Sequence, residues 1–234
     1  MNIVPIDGNN YLASNCLPGT YTPGRDNYTQ SLAYTFDDLR ANAPNNTGFR
    51  NASWAEDPHN RAYGLALCRG DVSPDECGGC LANATIEVNS NNCPNRRGAI
   101  IWGNLCLLKY SDQPFFGIID TDNRYYAYNN DYASSAGQTK TFTNTTRDLL
   151  NDLVKEAVSD KTARVPMFAN GNVTYGNETV YGMVQCTRDL SAKNCTTCLD
   201  DAIEYLPKCC FPKVGARVFY GSCVLRYEIY PFLN

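Results

Sequence analysis

The chain has 234 residues, 43% hydrophobic and 19% charged, the balance of a folded globular protein and not of a disordered one. Its formal net charge is −4, and its densest basic stretch is Arg96-Arg97, short of the clustered Lys and Arg that phosphate binding needs, which argues against a nucleic-acid partner. No run approaches the ~20 apolar residues of a membrane span, and the opening MNIVPIDGNNYLASNC lacks the basic and apolar regions of a signal peptide, so it reads as a mature or trimmed chain.

In chain order, TQSLAYTFDDLRANA (29 to 43) has the apolar spacing of a helix. A polar loop with a short strand follows, then an alternating strand, YGLALC, ending at Cys68. Ser73, Pro74 and Glu76 suit the N-cap, N1 and N3 positions of a second helix, a capping box that puts Cys77 in the first turn. Two strand-like runs on either side of Gly103-Asn104 then form a hairpin.

The next stretch, SDQPFFGIIDTDNRYYAYNN (111 to 130), is apolar and aromatic, so it is expected to be ordered and to supply the first strand of a second unit. TTRDLLNDLVKEAV (145 to 158) predicts a helix that Asn144 would cap. A strand into Cys186, a helix carrying Cys195 and a hairpin around Gly221-Ser222 repeat the earlier plan.

The repeat is explicit: YGLALCRGDVSPDECGGCL (63 to 81) over YGMVQCTRDLSAKNCTTCL (181 to 199) is identical at 8 of 19 positions. Downstream, Cys93 falls opposite Cys210 and Cys106 opposite Cys223. The class is therefore α+β, with two tandem domains, 1–112 and 113–234, each an antiparallel sheet with two helices packed on one face.

Twelve cysteines accompany N-x-S/T sequons at Asn27, Asn45, Asn51, Asn83, Asn144, Asn172, Asn177 and Asn194, which together point to the secretory pathway and glycosylation. Structural disulfides are favoured over a zinc site on Cys77, Cys80, Cys93 and Cys106, because only one of the two ligand pairs has tight spacing. A thioredoxin-like pair is disfavoured by the lack of a βαβ context. No metal or cofactor is expected.

The C-x8-C-x2-C triplet, the closing GARV...C...RYE pattern and the duplication resemble the ginkbilobin-homologous (stress-antifungal) domain of land plants. That family's tandems form receptor-like kinase ectodomains, plasmodesmal ectodomains and secreted cysteine-rich repeat proteins. The resemblance implies a five-stranded antiparallel sheet in each unit and the bridges Cys16–Cys93, Cys68–Cys77, Cys80–Cys106, Cys186–Cys195 and Cys198–Cys223. Each ten-residue loop closed within a triplet would contribute ~2 to 3 kcal/mol by chain entropy. Unit two has no cysteine matching Cys16, so the pairing of adjacent Cys209 and Cys210 stays open.

No enzyme is read from the sequence. His59, the only histidine, lies in a loop-like EDPHN without a nucleophile motif, and Asp37-Asp38 and Asp200-Asp201 are adjacent helical pairs that point apart. Ginkbilobin-like lectins hold mannose with an Asn, an Arg and a Glu; the resemblance carries these roles to Asn129, Arg217 and Glu228, whereas unit one offers Leu17, Ile100 and Ser111. The plainer reading of Arg217 and Glu228 is a cross-strand ion pair. Pleat alternation also puts Glu228 with Val224 and Arg226, opposite Cys223, Leu225 and Tyr227.

The tyrosine-rich run 125–128 and Phe115-Phe116 are read first as core and seam residues, and second as a sugar platform or protein interface. The implied role is a non-enzymatic module of the plant apoplast in defence or stress perception. Its expected ligand is an extracellular protein, from a pathogen or a co-receptor, or a mannose-type glycan. The chain would be secreted, or would stand outside the plasma membrane if a kinase follows.

Overall fold

The computed structural model describes residues 11–88, 92–133, 136–159, 164–176 and 178–233. The described residues divide into two compact units between Ile118 and Ile119, where the sequence suggests 112/113. Of the expected sequon sites, Asn177 lies outside the described residues.

Unit one runs β1 (Tyr11–Cys16), α1 (Tyr28–Asn42), β2 (Phe49–Trp54), β3 (Ala62–Cys68), α2 (Pro74–Glu87), β4 (Ala99–Gly103) and β5 (Cys106–Ser111). Unit two repeats it with β6 (Arg124–Tyr128), α3 (Ala136–Ser159), β7 (Phe168–Tyr175), β8 (Glu178–Cys186), α4 (Ala192–Cys209), β9 (Ala216–Tyr220) and β10 (Cys223–Glu228). The sheets have the same order, β1-β4-β5-β3-β2 and β6-β9-β10-β8-β7, and every strand pairing is antiparallel.

Each helix turns one stripe inward. In α1 the buried residues are Tyr28, Ser31, Leu32, Thr35, Phe36 and Leu39, spaced three and four apart. In α4 they are Cys195, Cys198, Leu199, Ala202, Ile203 and Leu206. Each buried Leu or Ile contributes about 1.5 to 3 kcal/mol by leaving water. The helices press close to the sheet because a glycine lies beneath each long one: a β-carbon at Gly64 would run into Thr35 and Leu39 of α1, and one at Gly182 would crowd Leu149 and Leu153 of α3.

Helix α2 starts with the full capping box, in which Ser73 Oγ accepts from the Glu76 amide and Glu76 accepts from the Ser73 amide. Helix α3 corrects the expected start: it begins at Ala136, so Asn144 lies inside it and caps nothing. Phe142, Thr146, Leu150 and Leu153 form its buried stripe, so tertiary packing extends the helix upstream of Asn144. The expected first strand of unit two narrows to β6, and residues 112–123 are loop and turn.

The twelve cysteines form six disulfides: Cys16–Cys93, Cys68–Cys77, Cys80–Cys106, Cys186–Cys195, Cys198–Cys223 and the adjacent pair Cys209–Cys210. In each unit one bridge joins a strand end to the following helix and another ties that helix to the last strand. Buried tyrosines at the same position of the last strand repeat a third tie, with Tyr110 Oη donating to Arg96 O at 3.2 Å and Tyr227 Oη donating to Lys213 O at 3.0 Å.

Candidate functional site

Strand alternation separates the two faces of the second sheet. Cys223, Leu225 and Tyr227 join the helix-side core, which leaves Val224, Arg226 and Glu228 on the other face. Arg217 of β9 is directly opposite Arg226 of β10, so two guanidinium groups share that face. Glu228 stands between them, with Oε1 3.0 Å from Arg226 Nε and 3.7 Å from Arg217 Nε.

This cluster is largely withdrawn from water: the Glu228 and Arg226 side chains are 6% and 8% exposed, and that of Arg217 is 19%. Burial, and after it the positive charge of Arg217, pulls the Arg226 guanidinium below its ordinary range, while Glu228 pushes it back up. The ring of Phe232 lies over Arg226 at 4.0 Å, so the C-terminal segment covers this guanidinium. The cross-strand Arg217–Glu228 pair is thus the longer of two contacts, and the same-strand Arg226–Glu228 pair is the shorter.

Asn129 joins this sheet through the backbone. Its amide donates to Gly215 O at 2.8 Å, as the Leu17 amide donates to Gly98 O at 2.9 Å in unit one. The register therefore aligns Asn129 with Leu17. The Asn129 side-chain oxygen accepts from the Asp131 amide at 3.0 Å, a local turn that engages the carbonyl end of the side chain. Gly215 separates Asn129 from Glu228, whose carboxylate lies where a β-carbon at 215 would be. Asn129, one residue past β6, is thus brought level with Glu228 of β10, beside the strand that carries Arg217.

Unit one lacks the set. Ile100 is fully buried, Ser111 Oγ accepts from the Gln113 amide, and Lys109 replaces Arg226 with its ammonium over the Phe115 ring at 4.8 Å.

A second group of residues was not assembled by sequence reasoning. Register pairs Cys16 with Ala99 in unit one and Tyr128 with Ala216 in unit two, so Tyr128 stands where Cys16 stands. Its neighbour Tyr126 is stacked on it at 6.4 Å and 18°, and meets Tyr205 of α4 edge-on at 5.8 Å. Arg124 lies over Tyr205 at 4.7 Å, and Lys213 lies over both Tyr128 and Tyr132. Tyr126 and Tyr132 are 38% and 65% exposed, so the string forms an aromatic and cationic ledge on the helix side of β6. The signal in the sequence was the tyrosine run itself, but its lining from α4 and from residue 213 required the fold.

The residues considered for catalysis are dispersed. His59 is exposed in a single 3-10 turn (Pro58–Asn60), where its amide bonds Asp57. Asp37 pairs with Arg40, whereas Asp38 pairs with Arg50 of β2. Among the described residues no group of His, Cys, Asp or Glu has the arrangement of a metal site, and no helix is long and apolar enough to cross a membrane.

Two five-stranded α+β units, each with helices on one face and stapled by disulfides at repeated positions, define a tandem cysteine-rich protein. The chain belongs to the salt stress response/antifungal family, whose model matches residues 15–113 and 128–230. It is 41% identical over 228 residues to cysteine-rich repeat secretory protein 38 of Arabidopsis thaliana, covering 97% of this chain and 87% of that protein. It is 45% identical over 175 residues to an antimicrobial ginkbilobin-2-like protein of Castanea crenata, covering 74% and 69%. The tandem DUF26 ectodomain of the Arabidopsis thaliana cysteine-rich receptor-like protein PDLP8 has the same fold, with a TM-score of 0.78 at 23% identity over 95% of this chain and 98% of that one. The protein is therefore a secreted, extracellular member of a cysteine-rich family that is not a known enzyme class.

Proposed function

We propose that this chain is a non-enzymatic recognition module of the plant apoplast, acting in defence or stress perception, and that it engages an extracellular protein through the ledge Arg124, Tyr126, Tyr128, Tyr132, Tyr205 and Lys213. The observation that carries this reading is the exposure of Tyr126 and Tyr132 next to two cations held against tyrosine faces. Tyrosine and cationic side chains fixed in place before contact supply large, low-entropy anchors for a partner. In this reading Arg217, Arg226 and Glu228 brace the sheet, since the carboxylate is already satisfied and buried.

A mannose-binding reading through Asn129, Arg217 and Glu228 is supported by the register that brings them level and by the part of Arg217 that remains exposed. The antimicrobial activity in the name of the Castanea crenata relative agrees with either route.

Two measurements separate the readings. A mannose titration and glycan array of the intact chain, beside Arg217→Ala, are expected to show no saturable sugar binding. Affinity capture from apoplastic and fungal secretions is expected to give a specific partner that is lost with Tyr126→Ala/Tyr132→Ala and kept with Arg217→Ala. Mannose binding abolished by Arg217→Ala would move the function to the sheet face.

A further inference from the structure

Among the described residues the two sheets end in four edge strands, β1, β2, β6 and β7. An open edge exposes a row of unpaired amides and carbonyls that can template another strand, and proteins blunt such edges with charge, proline, bulges or shortness. Strand β1 is interrupted by a register shift between Tyr11 and Ala13. Strand β2 has six residues and includes Arg50, and β6 has five and begins at the exposed Arg124.

Strand β7 has none of these devices. It runs eight residues, FANGNVTY, with no charge and no proline, and pairs with β8 through an unbroken register from Phe168 to Tyr175. On length, absence of charge and continuity of register it is the edge most open to strand addition by a second copy. In its second half stands Asn172, exposed, the first residue of the sequon Asn172-Val173-Thr174. Gly171 lies on the helix side against Leu153, so Asn170, Asn172 and Thr174 point to the opposite face, and all three are exposed. Strand β2 carries its own sequon residue, Asn51, on the corresponding edge of the first sheet.

We infer that an N-linked glycan on Asn172 is the guard of the β7 edge, replacing the charge that the strand lacks. In the secretory pathway the transfer joins Asn172 Nδ2 to C1 of the first N-acetylglucosamine of a lipid-diphosphate-linked oligosaccharide. The amide gives up one proton and the lipid diphosphate leaves. The branched sugar leaves from the sheet face and, by its bulk, overhangs the β7 edge that a second β7 would need, and the protein stays monomeric. Without it, two copies pair β7 to β7 and join their sheets.

The test uses the whole chain secreted from eukaryotic cells, with glycopeptide mass spectrometry at Asn172 and light scattering after size exclusion. Asn172 is expected to be occupied and the wild type monomeric. Asn172→Gln and Thr174→Ala, which both abolish the sequon, are expected to double the mass in a concentration-dependent way. Asn172→Lys, which restores a charge without sugar, and Asn144→Gln, which removes a sequon on α3, are expected to remain monomeric. The same near-ultraviolet circular dichroism for all variants establishes folding. An unoccupied Asn172, or a monomeric Asn172→Gln with native dichroism at the concentrations of the other variants, overturns the inference.

Discussion

Glu228 lays its carboxylate over Gly215, and its Oε2 fills the space that a β-carbon at position 215 would take. The absence of a side chain at one position thus sets the position of a buried charge two strands from the sheet edge. Gly215→Ala is expected to lower stability by about 1 to 3 kcal/mol, because the added methyl must displace a held side chain. Glu228→Gln is expected to cost more, about 3 to 5 kcal/mol, since it leaves Arg226 buried beside Arg217 with no counter-charge. Chemical denaturation of the two variants gives the ranking, and a milder effect for Glu228→Gln would show that the cluster is not a brace.

The bridges are expected to differ widely in worth. Cys16–Cys93 spans a sequence separation of 77, so Cys16→Ser/Cys93→Ser should cost about 4 to 5 kcal/mol through the entropy released to the unfolded chain. Cys209–Cys210 has a separation of 1 and closes almost no loop, so Cys209→Ser/Cys210→Ser should cost only about 1 kcal/mol. Thermal melts of both double variants provide the comparison.

Thr146 is fully buried in α3, and its hydroxyl has no hydrogen-bond partner among the described residues. Thr146→Val keeps the shape and removes the unsatisfied group, so a gain of about 1 kcal/mol and a melting point a few degrees higher are expected. Because Thr146 completes the Asn144 sequon, the comparison belongs in an Asn144→Gln background.

Burial raises the Tyr110 and Tyr227 phenols well above their ordinary range of about 10. A raised acid folds in its neutral form, so the stability it contributes is fully present below pH ~10 and is lost as pH rises beyond that value. Melting temperatures between pH 8 and pH 11 are expected to hold steady and then fall. Tyr110→Phe/Tyr227→Phe should start lower by about 1 kcal/mol for each lost hydrogen bond and should fall less steeply above pH 10.

Much of this architecture is legible in the chain because it is written twice. The capping box at Ser73, the alternation into Cys68 and Cys186 and the paired closing hairpins each rest on local chemistry, and local chemistry survives folding. Where the reading slipped, longer-range packing decided: the stripe Phe142, Thr146, Leu150 carries α3 back past Asn144, a residue with good capping chemistry. Alternation was enough to put Arg226 beside Glu228. Their burial was not legible, because it depends on Phe232 returning over Arg226. The place of Asn129 was loosely anchored in a unit without a matching cysteine, and only the paired amides of Leu17 and Asn129 pin the register.

Tyr128 in the place of Cys16 leaves Cys210 without the partner that Cys93 has, and Cys209 takes that role from the next position in the chain. Each repeat therefore keeps an even complement of half-cystines. A repeat can exchange a long-range covalent tie for an aromatic side chain and still enter an oxidising compartment with no orphan thiol to crosslink it to a neighbour. Parity, more than rigidity, is what the adjacent pair keeps, and it lets the β6 end of the second sheet differ from the β1 end of the first while the helix-side staples are the same in both.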